Sequence, residues 1–78
     1  MPKPLRYREL LAHLKDFGVI EKRYGAGSRR VLYKENVEGQ TVFYYIHPHS
    51  EHHEFDIGVV NSTLRRFKIN PKEFWKEV

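Results

Sequence analysis

Apolar positions near the start of the chain recur at helical spacing. Leu10, Leu11, Leu14 and Phe17 fall on one stripe. Pro4 is tolerated in an opening turn but not deeper, so this first helix is predicted to begin just after it. Gly18 stands where a C′ glycine ends a helix, and Lys15 in the last turn complements the dipole. From residue 19 the period changes to two. Residues 19–24 read as a strand with Ile20 and Tyr24 on one face, and Gly25-Ala26-Gly27-Ser28 breaks it. Residues 29–34 put Val31 and Tyr33 on one side, and Arg30, Leu32 and Lys34 on the other. Glu38-Gly39 marks a reversal, and residues 41–46 form a dense β-branched and aromatic run. Three strands joined by short glycine turns predict an antiparallel meander.

Residues 47–54 read as a polar loop carrying four of the five histidines. Asp56 is a predicted N-cap for a second helix, in which Ile57, Val60, Leu64 and Phe67 are spaced i, i+3, i+7 and i+10. Asn70-Pro71-Lys72-Glu73 has the form of a capping arrangement, with proline at the first helical position. Phe74 and Val78, four apart, let a last short helix dock on the core. The expected fold is α+β. Its order is α-β-β-β-α with a three-stranded antiparallel sheet, both long helices on one sheet face, and a short C-terminal helix.

Composition narrows the class. Seventy-eight residues make one domain, 1–78, whose core is thin, since a chain of this size buries only about 60% of its unfolded surface. With 40% apolar and 14% aromatic residues it can still build that core. Cysteine is absent, which favours a reducing compartment over a disulfide-stapled secreted domain, so a cytoplasmic location is expected. No apolar run suits a signal peptide or the ~20 residues of a membrane span. The formal charge of +4 and pI near 9.5 suit a polyanionic partner.

Three clusters could carry chemistry. Lys22, Arg23, Ser28, Arg29 and Arg30 surround the glycine turn, where backbone N–H groups can approach an anion and guanidiniums add bidentate phosphate contacts. The commoner meaning of such a run is a hairpin with solvated charges. Arg65 and Arg66 are pushed outward by Leu64 and Phe67, and could reach phosphates across a groove. The third cluster is His47-Pro48-His49-Ser50-Glu51-His52-His53-Glu54, open to acid–base work, to metal binding, or to the plain role of a hydrophilic loop. No spacing matches a closed zinc motif, so no metal or cofactor is assigned. His47 and His49 directly follow a strand and are better positioned than His52 or His53. Tyr33, Phe43, Tyr44 and Tyr45 are assigned to the core, although alternation could turn some outward to stack on bases. Trp75 is assigned as a core anchor or interface residue, not as a base platform.

In order, these residues resemble the HicA (YcfA-like) toxin family. The likeness rests on residues 10–18 as helix and glycine stop, on Gly27-Ser28 followed by Arg29-Arg30-Val31, and on Ile46-His47-Pro48-His49. Its most specific part is the tail Thr63-Leu64-Arg65-Arg66-Phe67-Lys68-Ile69-Asn70-Pro71-Lys72-Glu73-Phe74-Trp75. The resemblance implies a fold like that of a double-stranded-RNA-binding domain, ribosome-independent mRNA cleavage, and a HicB-like antitoxin partner. One position departs from the family: its usual members carry Gly-Ser-His, and here Arg29 takes the histidine's place. Arginine stays protonated and is no general base.

The resemblance therefore implies an RNA endonuclease that needs no metal. His49 would be the acid/base, with His47 as its stand-in. Lys22, Arg23, Ser28, Arg29, Arg30, Arg65 and Arg66 would hold the RNA backbone. The alternative is a non-catalytic module on the same fold that binds RNA or the antitoxin.

Overall fold

Capping and turn chemistry set the element boundaries. The computed structural model describes residues 2–23, 29–50 and 52–78, with Arg23 described by its backbone alone. The elements are β1 (Leu5–Arg6), α1 (Tyr7–Lys15), β2 (Ile20–Arg23), β3 (Arg30–Val37), β4 (Gln40–Ile46), β5 (Glu54–Phe55), α2 (Ile57–Arg66) and α3 (Pro71–Glu77). The fold is α+β, and β2, β3 and β4 form the expected antiparallel meander.

The expected order lacked two strands. Leu5 pairs with Phe55 and Arg6 with Glu54 in a separate antiparallel ribbon, so α1 starts only at Tyr7. Strands of two residues leave no periodicity to read.

Helix ends follow the local chemistry. The Arg6 N–H donates to Glu9 Oε1 at 3.1 Å as α1 opens. At its end the Val19 N–H reaches the Leu14 carbonyl and the Gly18 N–H the Lys15 carbonyl, with Gly18 at φ +86°. This is the Schellman arrangement that favours glycine. Asp56 Oδ1 caps α2 by accepting from the Val59 N–H at 2.8 Å. Asn70 Oδ1 caps α3 by accepting from the Lys72 N–H at 2.9 Å, with Pro71 at the first helical position. Between β3 and β4, Val37 pairs with Gln40 across Glu38 and Gly39, both at positive φ. That two-residue loop has the handedness that suits the twist of a hairpin.

The core lies on one face of the meander. Leu10 and Leu14 of α1, Val60, Leu64 and Phe67 around α2, and Phe74 of α3 are fully buried with Leu32 of β3. At about 1.5–3 kcal/mol for each large apolar side chain removed from water, this cluster is the main favourable term in the fold. Trp75 anchors in the core as expected, its indole N–H donating to Asn61 Oδ1 at 2.9 Å. Thr63 is fully buried, and its hydroxyl donates to the Val59 carbonyl at 2.9 Å.

Three core assignments are corrected. Phe43 and Tyr45 are 43% and 62% exposed, while Tyr44 between them packs against the core, edge-on to Phe67, as do Val42 and Ile46. Tyr33 lies beside Phe43 on the outer face, half-buried. Ile20 is 48% exposed, while Val19, one position earlier, is buried. These placements have one cause. Strand side chains alternate, and all three helices are spent on the face carrying Leu32 and Tyr44, so odd-numbered neighbours on β4 face away. Tyr24 lies outside the described residues.

Candidate functional site

Strand register gathers several of the predicted residues at one end of the meander. Arg23 pairs with Arg30, and Arg30 with Ile46, so the ends of β2 and β4 and the start of β3 coincide. Lys22, Arg29 and Arg30 therefore lie near the start of the histidine loop at His47. Gly25, Ala26, Gly27 and Ser28, predicted as a turn, lie outside the described residues, as does the side chain of Arg23.

The loop is held by contacts from outside it. Pro48 is buried, while His47 and His49 are exposed. The Tyr7 N–H donates to the His53 carbonyl at 2.8 Å, and the His53 N–H to the Ser50 carbonyl at 3.1 Å. The His53 ring rests on Phe55, with centroids 4.5 Å apart. The His49 ring lies 5.0 Å from that of His53. The His49 N–H also points at His53 Nδ1 from 3.5 Å, at the long limit of a hydrogen bond.

The ring beside His49 is that of His53. Sequence spacing ranked His53 below the histidines that follow β4. Its place depends on Tyr7 and Phe55, which are joined through the β1–β5 ribbon. That ribbon also sets Arg6 and Arg8 beside His52, where with Glu9 they line a shallow depression. These two cations are further candidates, and only their adjacency to the loop in three dimensions reveals them.

The predicted arginines divide by surroundings. Arg29 is exposed. Arg30 is engaged: its Nε stands 3.8 Å from Glu21 Oε2, and its Nη1 donates to the Arg29 carbonyl at 3.1 Å. Glu21 Oε2 also accepts the Tyr7 hydroxyl at 2.5 Å. Arg65 and Arg66 are both exposed but part company. Arg66 Nε donates to the Phe43 carbonyl at 3.0 Å, along the outer edge of β4. Arg65 lines a groove beside α3 with Asn61, Lys68 and Asn70.

No group of three or more histidine, cysteine or acidic side chains stands together as a metal site among the described residues. No helix among them is long and apolar enough to cross a membrane. Comparison with protein-family models, with curated proteins and with solved structures returns no match.

What the arrangement offers is two imidazoles side by side in the loop that follows β4, with Arg30 paired to the last residue of β4 and Arg6 and Arg8 beside His52. Imidazole is the side chain best suited to exchange protons near neutral pH. Guanidiniums nearby can hold a phosphate and stabilise charge developing on it.

Proposed function

We propose that this chain is a HicA-like RNA endonuclease, with a fold of the double-stranded-RNA-binding type, that cuts without a metal through His49 and His53. The pairing of those two imidazoles, 5.0 Å apart, carries the proposal. Cleavage of RNA by its own 2′-hydroxyl needs one group to take that proton and another to give one to the leaving 5′-oxygen. The O2′–P bond forms as the P–O5′ bond breaks, leaving a 2′,3′-cyclic phosphate and a free 5′-hydroxyl. One imidazole starts neutral and the other protonated, and the two exchange states over the turnover. Arg29 binds the scissile phosphate and offsets its developing charge. On this reading the histidine that usual family members carry at Arg29 is replaced in function by a pair from the loop. A HicB-like antitoxin is the protein partner this reading expects.

A second reading is supported by Arg29 itself, a phosphate-binding residue where the family has its base. On that reading the chain binds RNA and leaves it intact. Incubation with mixed-sequence RNA in excess EDTA separates the two. Fragments ending in cyclic phosphate, absent with His49→Ala, support the nuclease. RNA that is bound but uncut by the parent protein supports the binding module.

A further inference from the structure

The face of the meander turned away from the helices carries a second feature. Register sets Ile20 against Tyr33, Tyr33 against Phe43, Lys22 against Val31, and Val31 against Tyr45, all on this face. Val31 is 1% exposed yet lies outside the core cluster, so it forms the floor between Lys22 and Tyr45. Above it Phe43 and Tyr45 are open to solvent, and the Tyr33 and Phe43 rings lie 6.2 Å apart with planes only 35° from parallel. Aromatic rings left exposed in a row on a sheet are unusual unless something covers them.

We infer that this face is a stacking platform for the bases of single-stranded RNA. The inference rests on the RNA reading above and names the form of RNA that reading leaves open. Three observations choose this occupant. First, the rings are bordered by cations: Lys22 is on the face, Arg29 is exposed at the start of β3, and Arg66 is fixed to the Phe43 carbonyl along the β4 edge. One acid, Glu35, lines the face beside Lys22. Rings among positive charges are what a strand of stacked bases and phosphates needs.

Second, the face is small. Three strands about 4.8 Å apart, the longest of eight residues at about 3.3 Å each, give on the order of 400 Å². A stable protein partner normally covers about 800 Å² on each side. Two or three stacked bases fit the smaller area. Third, the platform leads to the histidines: Tyr45 stands two positions before His47, about 7 Å along an extended chain. A strand stacked on Phe43 and Tyr45 therefore passes its next phosphate toward the loop.

The test uses a fluorescent single-stranded 2′-O-methyl RNA, which cannot be cut through its 2′-oxygen. Binding is followed by anisotropy over a range of salt, with the oligomeric state checked by light scattering. Phe43→Leu and Tyr45→Leu keep apolar bulk but remove the π face, and each should weaken binding by about tenfold. The salt dependence should stay as it is, because no phosphate contact is removed. Tyr45→Phe should bind like the parent. Leucine variants that bind as well as the parent would overturn the platform and leave the RNA reading standing. A parent dimer that Tyr45→Leu splits would overturn it in favour of a second copy on this face. A parent that binds no RNA would remove both.

Discussion

The imidazole rings of His49 and His53 stand 5.0 Å apart, centroid to centroid, although neither belongs to a helix or strand. Their relation depends on Phe55, which carries the His53 ring at 4.5 Å, and on Tyr7, whose backbone N–H holds the His53 carbonyl. Phe55 therefore acts as a positioning residue. Phe55→Leu is expected to cost about 1 kcal/mol of stability, as partial loss of a buried ring does. It should also slow RNA cleavage while leaving affinity for an uncleavable RNA unchanged. Single-turnover rates beside binding isotherms check this. A fall in both together would mean that the ring serves only the fold.

The arginines should separate in a salt titration. Arg29 is exposed at the sheet end from which the histidine loop leaves, whereas Arg30 is engaged with Glu21 and a backbone carbonyl. Arg29→Ala should lower the slope of log affinity against log salt by about 0.7 for a single strand, the release of one phosphate contact. Arg30→Ala should change that slope less. Equal effects would show that Arg30 leaves its protein partners to bind RNA.

Tyr7→Phe removes the hydroxyl that donates to Glu21 at 2.5 Å in a half-buried setting. A hydrogen bond to a charged acceptor is worth about 1.5–3 kcal/mol. Partial exposure brings the expected loss to about 1–2 kcal/mol. Urea unfolding should show a lower midpoint with an unchanged slope. A variant as stable as the parent would mean that water replaces the hydroxyl at no cost.

Much of the fold was legible because its signals are local. Asp56, Asn70-Pro71 and Gly18 each cap or stop a helix through atoms within a few residues, and each does so where the sequence predicts. The meander was legible from its period of two and from the Glu38-Gly39 reversal. The β1–β5 ribbon was not, since it joins Leu5 to Phe55 across fifty positions and has no pattern of its own. The site inherits that blind spot. His47 and His49 could be proposed from their nearness to β4, but His53, Arg6 and Arg8 reach the loop region only through the ribbon. The outward aromatics were misassigned for another reason: alternation separates Tyr44 from Phe43 and Tyr45 without saying which side the helices will cover.

Two helix ends offer a paired stability test. After α2 the Ile69 N–H bonds to the Leu64 carbonyl and the Lys68 N–H to the Arg65 carbonyl, the same arrangement that ends α1. The left-handed position there is Lys68, at φ +54°, where α1 has Gly18. An L side chain in that region costs about 1 kcal/mol. Gly18→Ala should therefore destabilise by about 1 kcal/mol, through backbone conformation alone, since its Cβ would meet nothing closer than Lys34 Cε at 3.7 Å. Lys68→Gly should stabilise by up to about 1 kcal/mol, reduced slightly by loss of the exposed pair with Glu38 at 2.7 Å. Thermal melts of both variants decide it, and loss of stability in Lys68→Gly would show that the ion pair outweighs the strain.

On the proposed reading, His49 and His53 together cut RNA without a metal. This is tested most directly by single-turnover cleavage in excess EDTA by the parent, His49→Ala, His53→Ala and the double variant. The parent should yield cyclic-phosphate fragments, and each single variant should lose about 10²-fold or more, the scale of one general acid or base. The double variant should be little worse than either single one, because the two act as a unit. Intact RNA with the parent, or cleavage that survives in the double variant, would contradict the claim.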